Sequence, residues 1–210
     1  NLYPNVDAPT YSQTGNTLTM VNPNGGGTIF FTTDGSDPRD PGASTYSSAI
    51  SLTASATYRS RVQENGVWSA LQSVDIIAGS PADASNLVVS ELYYNEPGAS
   101  EENEFIELVN ISDMEIDLSN LTFTAGLTYT FPLDTTLAPG ERLTLSPGDY
   151  AGNLDNGGET ITLNDASGEV IESFTYNDRL PWPEASDGAG FSLVRITPSL
   201  QLDPNLPSSW

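Results

Sequence analysis

Residues 87–110 read LVVSELYYNEPGASEENEFIELVN. Two runs rich in Val, Ile, Leu, Phe and Tyr flank an acidic stretch broken by Pro97 and Gly98. In the first run Val89, Glu91 and Tyr93 alternate onto one strand face; in the second Phe105, Glu107 and Val109 do the same. Each strand therefore sets a Glu among apolar neighbours, where a carboxylate needs an opposite charge or a metal. Arg195, closing the late run Ser192-Leu193-Val194-Arg195, is the expected partner, in a buried pair with Glu91 or Glu107. A calcium ion shared by Glu91 and Glu107 is the competing reading. The segment between the strands, residues 95–104, carries Glu96, Glu101, Glu102 and Glu104.

The same pattern extends to both ends of the chain. No 11-residue window keeps apolar residues at helical spacing without Gly, Pro or a β-branched run. Turn residues recur roughly every ten positions, which is sandwich or barrel spacing. Upstream, residues 28–40 read TIFFTTDGSDPRD: two aromatic strand residues run into Asp34-Gly35-Ser36-Asp37-Pro38. In that turn Asp bonds its own backbone, Gly tolerates positive φ and Pro ends the ladder. Residues 57–62, TYRSRV, lead to the hairpin turn Asn65-Gly66 and then to Val67-Trp68. The small, polar run from Ala78 to Ser85 contains Pro81 and predicts a boundary, with a linker over 80–85 and modules at 1–79 and 86–210.

Composition narrows the chemistry. The 210 residues carry 28 acidic and 6 basic side chains, all six Arg, for a net charge of −22, with no Lys, His or Cys. That removes the commonest general base and zinc ligand, thiolate nucleophiles, disulfides and Schiff-base lysines. Nucleic acid is excluded as a partner, because phosphate binding needs cations that displace counterions. No run approaches the roughly 20 apolar residues needed to span a bilayer. A surface this acidic favours hard cations, calcium first, with oxygen ligands. The candidate ligands are Glu96, Glu101 and Glu102 in one loop, and Asp34, Asp37 and Asp40 on the first-module turn. The plain alternative is a solvated acidic surface and turn-capping aspartates. Two Glu on adjacent strands also suit a glycosidase in principle, but short sandwich turns build no cleft, so no enzyme is expected. Trp182, held between Pro181 and Pro183, is either a rigid platform for a sugar ring or a plug in the core.

Two family resemblances give these expectations a context. The TTDGSDP turn, Tyr46 and Asn65-Gly66-Val67-Trp68-Ser69 resemble the immunoglobulin-like domain at the C-terminus of chitobiases and hexosaminidases, over residues 8–77. The motifs VVSELYYN, EFIELVN, DLS, LAPGERLTL, NGGETITL, PWP and DGAGFSLVR resemble a bacterial lamin-tail domain, over residues 86–196. The resemblance implies an all-β chain of two immunoglobulin-like β-sandwich domains in tandem. It also implies non-catalytic accessory modules in a larger secreted or cell-surface bacterial protein. Their partners would be other domains of that protein, polysaccharide or surface components, and targeting of an attached hydrolase to polysaccharide is the alternative role.

Overall fold

The computed structural model describes residues 5–98 and 101–210. The chain divides into two compact units, Asn1–Gly79 and Ser80–Trp210.

The first unit holds β1 (Thr10–Thr14), β2 (Thr17–Val21), β3 (Thr28–Thr32), β4 (Ser44–Thr45), β5 (Ile50–Ser51), β6 (Ala56–Glu64), β7 (Val67–Trp68) and β8 (Gln72–Ile76). One sheet runs β1-β2-β5, the other β4-β3-β6-β7, with β8 also on β6. Period two decides what is buried. Leu18 and Met20 of β2 meet Ile29 of β3 and Tyr58 and Val62 of β6 in one core. Arg59 and Arg61, the alternate residues of β6, are only partly buried. The β6–β7 hairpin turns through Asn65 (φ 50) and Gly66 (φ 79), both left-handed as its two-residue turn requires.

The second unit begins inside the expected linker. Ser80–Pro81 form β9, which lies parallel to β12 (Ile116–Asp117). Ala82 is buried and donates its N–H to the Asp117 carbonyl at 3.0 Å. Pro81 is tolerated because β9 is an outer strand of its sheet. The remaining strands are β10 (Leu87–Tyr93), β11 (Phe105–Asn110), β13 (Thr122–Ala125), β14 (Tyr129–Thr130), β15 (Thr136–Leu137), β16 (Arg142–Leu145), β17 (Thr160–Asn164), β18 (Val170–Thr175) and β19 (Leu193–Val194).

Sheet β16-β11-β10-β19 faces sheet β14-β13-β17-β18, and β15-β12-β9 closes one side. Leu92, Ile106 and Leu108 from the first sheet share a core with Phe123, Leu163 and Phe174 from the second. Gly158 allows the β17 approach: a Cβ there would sit 2.4 Å from the Tyr176 carbonyl oxygen, and its φ is +100.

Residues 196–210 form a strap that closes the same core. The Ile196 N–H donates to the Ser209 carbonyl at 2.8 Å. Trp210, 8% exposed, packs on Phe174 with ring centroids 5.3 Å apart. Its indole N–H donates to the Pro204 carbonyl at 2.8 Å. Helical structure among the described residues is limited to the single 3₁₀ turns Glu184–Ser186, Pro198–Leu200 and Pro207–Ser209.

Candidate functional site

The Asp34-Gly35-Ser36-Asp37 turn is built from its own side chains. Asp34 Oδ1 accepts the Ser36 N–H at 3.0 Å and the Ser36 hydroxyl at 2.6 Å, and these bonds lower its pKa. Asp37 accepts paired bonds from two guanidiniums. Arg61 donates Nε and Nη2 at 2.9 Å each, and Arg39 donates Nε at 3.1 Å and Nη2 at 2.9 Å. The Arg61 bonds, then those from Arg39, hold the Asp37 carboxyl well below the usual carboxylate range. Asp40 contributes its N–H to the Asp37 carbonyl at 2.8 Å. Asp34 and Asp37 thus serve the turn and its arginines, and among the described residues Asp34, Asp37 and Asp40, the expected calcium ligands, do not gather as a metal-binding set. Beside this cluster Phe30 and Trp68 meet edge to face at 5.3 Å.

The expected pair of Arg195 with Glu91 or Glu107 does not form. Ser90 is an extra residue in β10, shifting the β10–β11 register between Val89 and Glu91. Glu91 and Glu107 lie directly opposite each other and are partly exposed. Each has its own partner: Glu91 accepts the Ser192 hydroxyl, and Glu107 accepts Arg142 Nη1 together with the Ser90 hydroxyl at 2.6 Å. Among the described residues, Glu91 and Glu107 belong to no group of three acidic side chains that gathers as a metal-binding set.

Arg195, 3% exposed, instead bonds Glu172 of β18 in the facing sheet. Glu172 Oε2 accepts the Val89 N–H at 2.7 Å, and Arg195 Nη1 donates to the Val89 carbonyl at 3.3 Å. The ion pair thus takes over the main-chain groups of β10 just past the end of β19. Arg195 Nη2 also donates to the Leu202 carbonyl at 2.7 Å, and the guanidinium lies 5.9 Å from the Trp210 ring centroid. Burial pushes the Glu172 carboxyl up, and Arg195 pulls it back. The cue for Glu172 was present in VIESF, a Glu in an apolar run like those used for Glu91 and Glu107.

The acidic loop is also tied internally. Glu96 is buried and accepts the Glu102 N–H at 2.8 Å, the Asn103 N–H at 3.3 Å and Asn103 Nδ2 at 2.5 Å. Glu101 accepts Asn153 Nδ2, and Glu102 is exposed. Residues 99 and 100 lie outside the described residues. Among the described residues, no group of three acidic side chains gathers as a metal-binding set. A calcium cage needs six to eight converging oxygens. Glu96 and Glu101 are instead turned to amide donors, and among the described residues Glu96, Glu101 and Glu102 do not gather as such a set.

Glu104, in the same loop but outside the expected ligand set, has a strongly raised carboxyl pKa. It is 2% exposed, and burial, then the charges of Glu101, Glu96 and Glu159, push its pKa up to about 7 against one Leu154 N–H at 3.1 Å. Among the described residues its Oε1 has no hydrogen-bond partner, and neither does the buried Tyr150 hydroxyl, raised to about 12 by burial and then by Glu104. The Tyr176 hydroxyl donates to the Asp155 carbonyl at 2.9 Å, and burial, then Glu159, raise its pKa. A raised carboxylate pKa suits acid–base catalysis, but Glu104 is 2% exposed. Trp182 is likewise enclosed: 8% exposed and part of the core, it is a plug and offers no stacking face.

Both units are thus all-β, immunoglobulin-like sandwiches, following one another along the chain. Residues 6–72 match the Chitobiase/beta-hexosaminidase C-terminal domain family, and residues 80–178 match the Lamin Tail Domain family. The second match takes in β9 and stops before β19 and the strap. No curated protein matched the chain. No helix among the described residues is long and apolar enough to cross a membrane.

Proposed function

We propose that the chain is a pair of non-catalytic accessory modules of a larger secreted or cell-surface bacterial protein, joined to its other domains and without nucleic-acid partners. The observation that carries this reading is the state of the carboxylates. Glu104 is buried, and Glu91, Glu107, Glu172 and Asp37 each hold a hydroxyl or guanidinium partner. No carboxylate pair is left open to a substrate at these positions. The purified chain is therefore inert toward glycosides, phosphate esters and peptides. Turnover that disappears in Glu104→Gln, with the fold intact, overturns the reading.

A second role, targeting of an attached hydrolase to polysaccharide, is favoured by the partly exposed Phe30–Trp68 pair beside Arg61 and Asp37. A ring face next to fixed donors and acceptors suits a sugar. Retardation of the chain in gels containing a neutral polysaccharide, lost in Trp68→Ala, tests it. Equal mobility with and without polysaccharide removes the role.

A further inference from the structure

The second unit carries a groove of about 360 Å³ between β18, the start of β10 and the strap. Ile171, Ser173, Leu87, Arg195, Gln201 and Pro204 are among the residues that form its walls. Among the described residues β18 is the outer strand of its sheet and pairs only with β17. Hydrogen bonding fixes which of its main-chain groups face outward. The Tyr176 N–H donates toward the β17 side, to the Glu159 carbonyl at 3.1 Å. In an antiparallel ladder the alternate residues turn both main-chain groups away. Thr175 does so, and its N–H donates to Asn205 Oδ1 of the strap at 3.0 Å. Ser173, two residues earlier and in register with Thr162 just as Thr175 is with Thr160, turns its N–H and C=O the same way, onto the groove wall.

Two further observations bear on what such an edge takes. The first unit carries Asp7, Asp34, Asp37, Asp40, Glu64 and Asp75 against Arg39, Arg59 and Arg61, a net −3. The remaining −19 of the chain's −22 falls on the second unit, so its field attracts cations and repels another copy of this chain. The segments bordering the groove also expose apolar side chains, Val170 at 54% and Leu202 at 38%. An extended segment alternates its side chains, so one face can be basic and the other apolar.

We propose that this groove binds an extended, Lys- or Arg-bearing peptide of a partner protein, which adds as a strand to the outer edge of β18. Main-chain bonds to Ser173 supply the pairing, the apolar side chains cover Val170 and Leu202, and the basic ones face the acidic surface. The Asn205 side chain, holding the Thr175 N–H, marks the end of the paired stretch.

The test uses the full chain and a capped hexapeptide of alternating Val and Lys. Two controls are the same peptide with Glu in place of Lys, and the Val–Lys peptide N-methylated at alternate residues. Amide NMR shifts locate the site, and titration at low and at 0.5 M salt gives the affinity. Expected are shifts centred on Ser173, no binding of the Glu peptide, and at least a tenfold loss on N-methylation. Ser173→Pro removes the outward N–H and is expected to weaken binding tenfold with the melting temperature unchanged. If that variant fails to fold, the N-methylated peptide on the native chain decides. Absence of shifts at Ser173, equal binding of the N-methylated peptide, or binding that vanishes at 0.5 M salt overturns the proposal, leaving only adsorption to an acidic surface.

Discussion

Replacing Glu104 by Gln is expected to stabilise the second unit at alkaline pH. The native carboxyl titrates at about 7 and its unfolded counterpart at 4.5. The folded state therefore binds the proton more tightly. Between pH 4.5 and 7 the unfolded chain gives up this proton first, so stability falls as pH rises and levels off above 7. That interval corresponds to about 3 kcal/mol at most, and water penetration beside the loop reduces it to about 1–3 kcal/mol. Gln copies the protonated acid, keeps an oxygen for the Leu154 N–H, and does not titrate. The assay is urea unfolding followed by emission of the buried Trp182 and Trp210, at pH 4.5, 6 and 8. The variant should match the native chain at pH 4.5 and exceed it by about 1–3 kcal/mol at pH 8. Glu159, also raised by burial, leaves a residual slope in both proteins. A variant with the native pH dependence, or one less stable at pH 8, refutes a buried, proton-holding Glu104.

Arg195→Met should cost about 3–5 kcal/mol, because it leaves Glu172 charged and buried. Arg142→Met, with its partly exposed pair to Glu107, should stay within about 1 kcal/mol in the same urea series. If the two costs are equal, the assignment of Arg195 to the inter-sheet pair is wrong. Trp210→Ala should cost about 3–5 kcal/mol by opening a cavity against Phe174, measured by thermal melting of the second unit. Calcium and magnesium at equal ionic strength should raise the melting temperature equally, by screening alone. A saturable effect of calcium only, by calorimetry, would restore a calcium cage.

The inward faces were legible where alternation ran undisturbed. Leu18 and Met20, or Ile106 and Leu108, are buried as period two requires, and Asn65-Gly66 turns the hairpin its chemistry demands. Glu104 was legible by the same rule: it lies two residues before Ile106, on the inward row. Its density of acidic neighbours suggested a metal, whereas burial is what shifts it. The partner of Arg195 was not legible. Ser90 inserts one residue into β10, and the bond to Glu172 crosses between sheets, so neither local spacing nor charge order reveals it. The aspartates of the DGSDP turn have the spacing of loop ligands. Only the fold brings Arg61, 24 residues away, onto Asp37.

The strap also sets an order on synthesis. Everything needed for the first core has been made by residue 79, so that unit can fold as soon as its chain is free. The second core lacks Trp210, and Arg195 lacks its Leu202 and Trp210 contacts, until residues 196–210 have been added. At roughly 5–20 residues per second, translation leaves the sheets up to β18 waiting for several seconds with an open flank. During that interval the outer edge of β18, later bordered by the strap, is bare main chain.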